Sequence, residues 1–150
     1  MIQLGPRHFI ATSTADLPAP RPGEPIYLDC ETRSRDESLR TGGLFPYLGD
    51  RAAMWGIAFD DDGPAVAVPI RMRDGKNLPV ENVMRWLKDI IHSASEWRNH
   101  NVKFDAHFAA VDGVMPETKL VDSLTLAKLK DTDRFTHGLK DLCRDWLALD

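Results

Sequence analysis

The stretch Tyr27-Leu28-Asp29-Cys30-Glu31-Thr32 sets two carboxylates one residue apart inside an otherwise apolar run. In an extended strand, residues two apart share a face and are separated by roughly 6.5–7 Å of rise. Ile26, Leu28 and Cys30 are therefore expected on one face, and Tyr27, Asp29 and Glu31 on the other. Two readings are open at this point. Either the acids end a strand in solvent, or together they reach a hard divalent cation such as Mg²⁺, which prefers oxygen ligands. Left unpaired and buried they would repel one another and suffer desolvation.

The flanking sequence alternates strand and helix signals. Upstream, residues 8–12 read as a short strand and 17–25 as an extended connector, with prolines at 18, 20, 22 and 25. We expect residues 1–25 to form this strand and connector, and 26–150 the main domain. Residues 32–50 are polar, carry Gly42, Gly43 and Gly49, and read as a long loop with room for a short helix. Segments 53–60 and 64–70 flank Asp61-Asp62-Gly63, a hairpin signal. The period then changes. Val80, Val83, Met84, Leu87, Ile90 and Ile91 line one face of a helix, with Pro79 in its first turn. Residues 96–101 read as a strand. Phe104, Phe108 and Val111 form a helical stripe, and 119–129 pass from strand to helix. Leu139, Leu142, Cys143, Trp146 and Leu147 mark an amphipathic helix with Thr136 as its expected N-cap. The order implies an α/β fold, a mixed sheet flanked by helices.

At 150 residues and 43% hydrophobic, the chain suits one domain with a real core. Lys and Arg number 19 against 23 Asp and Glu, a net charge of −4 that argues against wholesale electrostatic binding of nucleic acid. It leaves room for an enzyme that meets phosphates locally through metal ions. Cys30 and Cys143 lie far apart without metal or redox spacing, so a reduced, cytoplasmic protein is expected. The N-terminal segment has no long apolar run, and neither a signal peptide nor a membrane span is expected.

A second cluster changes the weight of the first. Asn101 precedes Asp105 by four residues, with Phe104 immediately before the carboxylate. If a helix begins near Val102, Asp105 lies in its first turn, where the helix dipole favours its charge. Together the two clusters resemble the DnaQ-like, or DEDD, 3′–5′ exonuclease superfamily. Asp29, Glu31 and Thr32 match its Asp-x-Glu-Thr motif, and Asn101, Phe104 and Asp105 match its Asn-x-x-Phe/Tyr-Asp motif. Residues 121–129 and 137–147 resemble segments that follow the second motif. Residues 29–34 and 41–48 look like the exonuclease domains of phage-type and bacterial family A DNA polymerases.

The resemblance covers residues 26–150 and implies a ribonuclease H-like fold. It implies hydrolysis of a 3′-terminal phosphodiester with two Mg²⁺ or Mn²⁺ ions held by Asp29, Glu31 and Asp105. The implied substrate is a single-stranded DNA 3′ end, with RNA possible, and the implied partner a polymerase domain in a longer parent. Thr32, Asn101 and Phe104 would touch or shape the substrate site. Tyr47 is the best placed aromatic for packing on substrate. The superfamily's third motif, Tyr-x-x-x-Asp or His-x-x-x-x-Asp, finds no match, because Asp141 stands four residues after His137, not five. The chain is therefore expected to stop before that motif and to lack the C-terminal helix of a complete domain. Asp122, Asp145 and Asp150 are the stand-ins to consider. Arg33, Arg35 and Arg40 either touch phosphates or line a solvated loop, and the four tryptophans read as core.

Overall fold

A computed structural model of the chain describes residues 1–35, 43–59, 63–73 and 75–149. Seven strands form one sheet: β1 (Ile2–Gly5), β2 (His8–Ile10), β3 (Pro25–Arg33), β4 (Arg51–Ala58), β5 (Ala65–Pro69), β6 (Glu96–Asn99) and β7 (Lys119–Asp122). Their spatial order is β1-β2-β5-β4-β3-β6-β7. The helices are α1 (Val80–Ser93), α2 (Val102–Val111), α3 (Ser123–Lys130) and α4 (Leu139–Leu147). Strands β3, β4 and β5 form an antiparallel meander, whereas β6 and β7 join β3 in parallel. This is the mixed α/β sheet expected from the order of sequence signals.

The two faces of the meander differ in chemistry. Cys30 pairs with Trp55 and then Val68, and Leu28 with Ile57 and then Val66, all buried. Val83, Leu87, Ile90 and Ile91 of α1 complete this core together with Val102, Phe108 and Ala109 of α2. The apolar positions at helical spacing in α1 thus meet the alternate positions of β3 and β4. On the opposite face the same registers run Asp29–Gly56–Ala67 and Glu31–Met54–Pro69. The alternation read from residues 26–31 holds along the strand.

Several details depart from the sequence reading. A strand at Ile2–Gly5 was not anticipated, and its hairpin with β2 extends the sheet through parallel β2–β5 pairing. The long loop after β3 includes one 3₁₀ turn, Pro46–Leu48, and Gly42 and Arg40 lie outside the described residues, as do Asp61, Asp62 and Asp150. Helix α4 is capped by Gly138, not Thr136, whose hydroxyl instead accepts the Gly138 N–H at 3.3 Å and donates to Asp141. Trp55, Trp86 and Trp97 are buried, but Trp146 is 40% exposed and lies beneath the Lys130 ammonium at 4.4 Å. It is not core, because α4 meets the rest of the protein mainly through Leu142. Among the described residues no helix is long and apolar enough to cross a membrane.

Candidate nuclease site

The site forms where β3 outruns its parallel neighbour. Pairing of β3 with β6 ends at Tyr27↔Arg98, so the β3 backbone beyond that point needs other partners. Side chains supply them. The Asn99 amide and the Trp97 indole N–H both donate to Leu28 O, at 3.0 and 2.8 Å, and Asp105 Oδ1 accepts the Cys30 N–H at 2.9 Å. Asn99 Nδ2 also lies 3.0 Å from Asp29 Oδ1 and 2.7 Å from Asp105 Oδ2. One amide therefore joins carboxylates 76 positions apart in sequence, by subtraction of their residue numbers.

Asp105 is placed by a sharp turn. Asn101 stands at φ 63° between β6 and α2, in the left-handed region that asparagine tolerates better than most residues. Its N–H donates to Asp122 Oδ1 at 2.8 Å, and its exposed side chain makes no capping bond. Asp105 then falls in the first turn of α2 and is 2% exposed. Burial pushes its carboxyl up to about 6 from 3.8; the Cys30 N–H and the Asn99 amide oppose this, and the Asp29 charge adds to it. Burial likewise pushes the Cys30 thiol far up, so it serves as an uncharged apolar wall behind the acids.

The remaining expected residues are dispersed around this centre. Glu31 is exposed on the same face as Asp29, two positions along β3. A bulge follows at once: Glu31 pairs with Met54 but Thr32 with Ala52, so Ala53 is the extra residue on β4, and Thr32 is half-buried. Phe104 packs on Phe108 at 5.0 Å between ring centroids and borders the core. Tyr47 is 74% exposed and meets the His107 ring edge-on at 5.7 Å. Among the described residues, no three His, Cys, Asp or Glu side chains converge closely enough to hold a metal ion as they stand. Asp122 is committed to capping, since it accepts from Asn101 N, Leu124 N and the Thr125 hydroxyl. Asp145 is paired with Arg134 and Arg144.

Sequence reasoning missed Asn99. Asn99 carried a signal, a polar residue ending a strand beside Asn101, but only the register of β6 on β3 shows which carbonyl and carboxylates it meets. It also missed Asp50, a buried carboxylate that accepts from the N–H groups of Arg35 and Phe45 at 3.0 Å each. Asp50 thereby fastens both sides of the loop that follows the first motif.

The comparisons with known proteins agree with this fold. The chain is 34% identical over 110 residues to a DNA-directed DNA polymerase of Pseudomonas phage M6, a match spanning 71% of this chain and 16% of the polymerase. Among solved structures it resembles Brucella melitensis NrnC with bound Mg²⁺, with TM-score 0.65 and 26% identity, covering 96% of this chain and 62% of that one. It also resembles the Neurospora crassa Pan2 catalytic unit, with its protease and nuclease domain, at TM-score 0.61 and 13% identity, covering 90% of this chain and 24% of that one. The chain thus spans less than two thirds of each of these proteins. No protein-family model matches it. With its ribonuclease H-like sheet and both motifs at the same sheet end, the chain belongs to the DnaQ-like (DEDD) exonuclease superfamily.

Proposed function

We propose that this chain forms a 3′–5′ exonuclease domain that hydrolyses the terminal phosphodiester of single-stranded DNA with two divalent cations, Mg²⁺ or Mn²⁺. The observation that carries the reading is the convergence of Asp29 and Asp105 on the Asn99 amide, with Glu31 next along the same exposed face. The donor set fits: carboxylate oxygens suit hard cations, and the amide N–H between the two acids offsets part of the charge that a cation would offset more fully. Asp29, Glu31 and Asp105 would hold the ions. When bound, such cations stabilise the attacking and leaving oxygens of an in-line displacement. The protein's own part is to fix the carboxylates. Asp105 is held by Cys30 N–H, and Asn99 is anchored on Leu28 O. Thr32, Asn101, Phe104 and Tyr47 shape the place of the terminal nucleotide, Phe104 by supporting α2 and Tyr47 by offering an exposed ring. The polymerase relative supports DNA as substrate and a polymerase domain as partner in a longer parent, in the cytoplasm.

One observation favours a second reading. Among the described residues no three acidic, Cys or His side chains converge as they stand, and Asp122 and Asp145 are engaged elsewhere. A chain so equipped binds cation and strand without cutting. Incubating the protein with 3′-labelled DNA and RNA oligonucleotides, with Mg²⁺, Mn²⁺ or chelator, separates the two. The exonuclease reading expects mononucleotides to be released from DNA. It expects a loss of at least about 100-fold in Asp29→Asn, Glu31→Gln and Asp105→Asn, the scale of removing a main source of transition-state charge stabilisation. Cleavage that persists in chelator or in Asp29→Asn would sink it, and binding without release would favour the second reading. Faster release from RNA would move the substrate, not the chemistry.

A further inference from the structure

Asp50 is the buried acid that the hydrolytic reading leaves unused. It and Asp105 are the buried charged side chains among the described residues, and Asp50 is 1% exposed. A carboxylate so placed is costly unless donors meet its oxygens. Here they come from both limbs of the segment that returns from β3 to β4. Oδ1 accepts the N–H of Arg35, two residues past the end of β3, and Oδ2 accepts the N–H of Phe45, at 3.0 Å each. Phe45 O in turn accepts the N–H groups of Leu48 and Asp50 at 3.0 and 3.3 Å, which closes the turn Pro46–Leu48. Arg51 Nη1 donates to Pro46 O at 3.3 Å, and its Nε stands 3.7 Å from Asp112 at the end of α2. The segment so fixed touches both halves of the site. Gly43 passes so close to Thr32 that a Cβ on it would stand 2.8 Å from Thr32 Oγ1. Tyr47 lies edge-on to His107, two residues beyond Asp105 on α2. Pro46 is buried, whereas Leu44, Phe45, Tyr47 and Leu48 are each half or more exposed. A turn that points its apolar side chains outward keeps its place through its base, and Asp50 is at that base.

We propose that Asp50 is a positioning residue: by holding both limbs of this segment it fixes Tyr47 beside α2, and so sets how firmly the terminal nucleotide is held. The inference rests on the nuclease reading of the site and extends it to a residue outside both motifs, which acts through Tyr47. The position calls for a carboxylate, because two acceptor oxygens meet two backbone donors. An amide has one acceptor oxygen and would turn its NH₂ group on one of them. The chemical step belongs to Asp29, Glu31 and Asp105, so Asp50 bears on binding and not on its rate.

The test compares the whole chain with Asp50→Asn, Tyr47→Ala and the double variant in Mg²⁺. Hydrolysis is followed on a 3′-labelled thymidine decamer, and binding without turnover on thymidine 5′-monophosphate. Asp50→Asn is expected to raise KM and the monophosphate dissociation constant on the order of tenfold, with kcat within about twofold. The double variant is expected to be no more than about twofold worse than Tyr47→Ala, the non-additivity of two residues that act through one contact. A merely structural role gives the opposite split, since less folded enzyme lowers kcat and leaves KM unchanged. That split, or losses that add in the double variant, overturns the proposal. Should Asp50→Asn not fold, Asp50→Ser, smaller and with one acceptor oxygen, takes its place under the same two criteria. Failure of the hydrolytic reading shows separately, as monophosphate binding that Asp50→Asn weakens while the unaltered chain releases nothing from the decamer. An unaltered chain that neither binds the monophosphate nor releases it overturns both.

Discussion

Asn99 solves two problems with one side chain. It donates to a β3 carbonyl that the sheet no longer pairs, and it stands between the exposed Asp29 and the buried Asp105, easing their repulsion. The cost that remains is legible in Asp105, whose carboxyl rises to about 6 from 3.8 on burial. A raised folded-state value means the folded protein holds this proton more tightly than the unfolded chain. The stabilisation is fully present below about 3.8 and is lost as pH rises through about 6. Its ceiling is about 3 kcal/mol, from 1.36 kcal/mol per unit of pKa. In chelator, the Tm difference between the unaltered chain and Asp105→Asn should therefore fall as pH goes from 4 to 7. A flat difference would mean that solvent reaches this carboxylate more freely than its burial implies. Asn101 plays a different part, since its backbone conformation, not a side-chain bond, aims α2 at the end of β3.

The return from β3 to β4 depends on close approach between backbones. Gly43 has φ 77°, and a Cβ there would stand 2.8 Å from Thr32 Oγ1 and 3.1 Å from the Arg33 backbone. Gly23 has a similar φ of 80° with nothing within 4 Å of such a Cβ. Both Gly→Ala changes should cost the about 1–2 kcal/mol of a left-handed alanine. Gly43→Ala should cost more, and should also weaken the proposed nuclease activity by shifting Thr32. Equal losses of Tm in the two variants would show that the approach to Thr32 is not tight. This contrast marks what a sequence makes legible. The strand around Asp29 and the helix at Val80–Ser93 are plain from period alone, because burial on one face writes itself into alternate or helically spaced positions. The Asp29–Asp105 convergence was reachable only through the family motifs. The partners of Asn99 and the Glu31–Thr32 bulge were not reachable, since both depend on register between strands distant in sequence. Strand β1 escapes for the opposite reason: Ile2, Gln3 and Leu4 are all exposed, so no burial pattern marks it.

Packing divides the protein unevenly. The meander, β6, α1 and α2 share one continuous apolar core, whereas α3 buries only Ala127 and α4 only Leu142, neither of which belongs to that core. What holds α4 is largely polar: Arg134 pairs with Asp145, Arg144 with Asp141, and Lys130 and Arg134 lie over the Trp146 ring. Exposed ion pairs of this kind contribute little each, so residues 123–147 should open locally at much lower free energy than the sheet. The site carboxylates stand on the robust side of this division, on β3 and the start of α2. Hydrogen exchange should accordingly find the amides of α3 and α4 exchanging well before those of β3, β4 and α1. Leu142→Ala should cost the C-terminal unit about 2–3 kcal/mol while leaving the slowest amides of β4 and α1 unchanged. If that substitution instead accelerates exchange across the sheet by the same factor, the two parts unfold as one, and α4 supports the site rather than merely adjoining it.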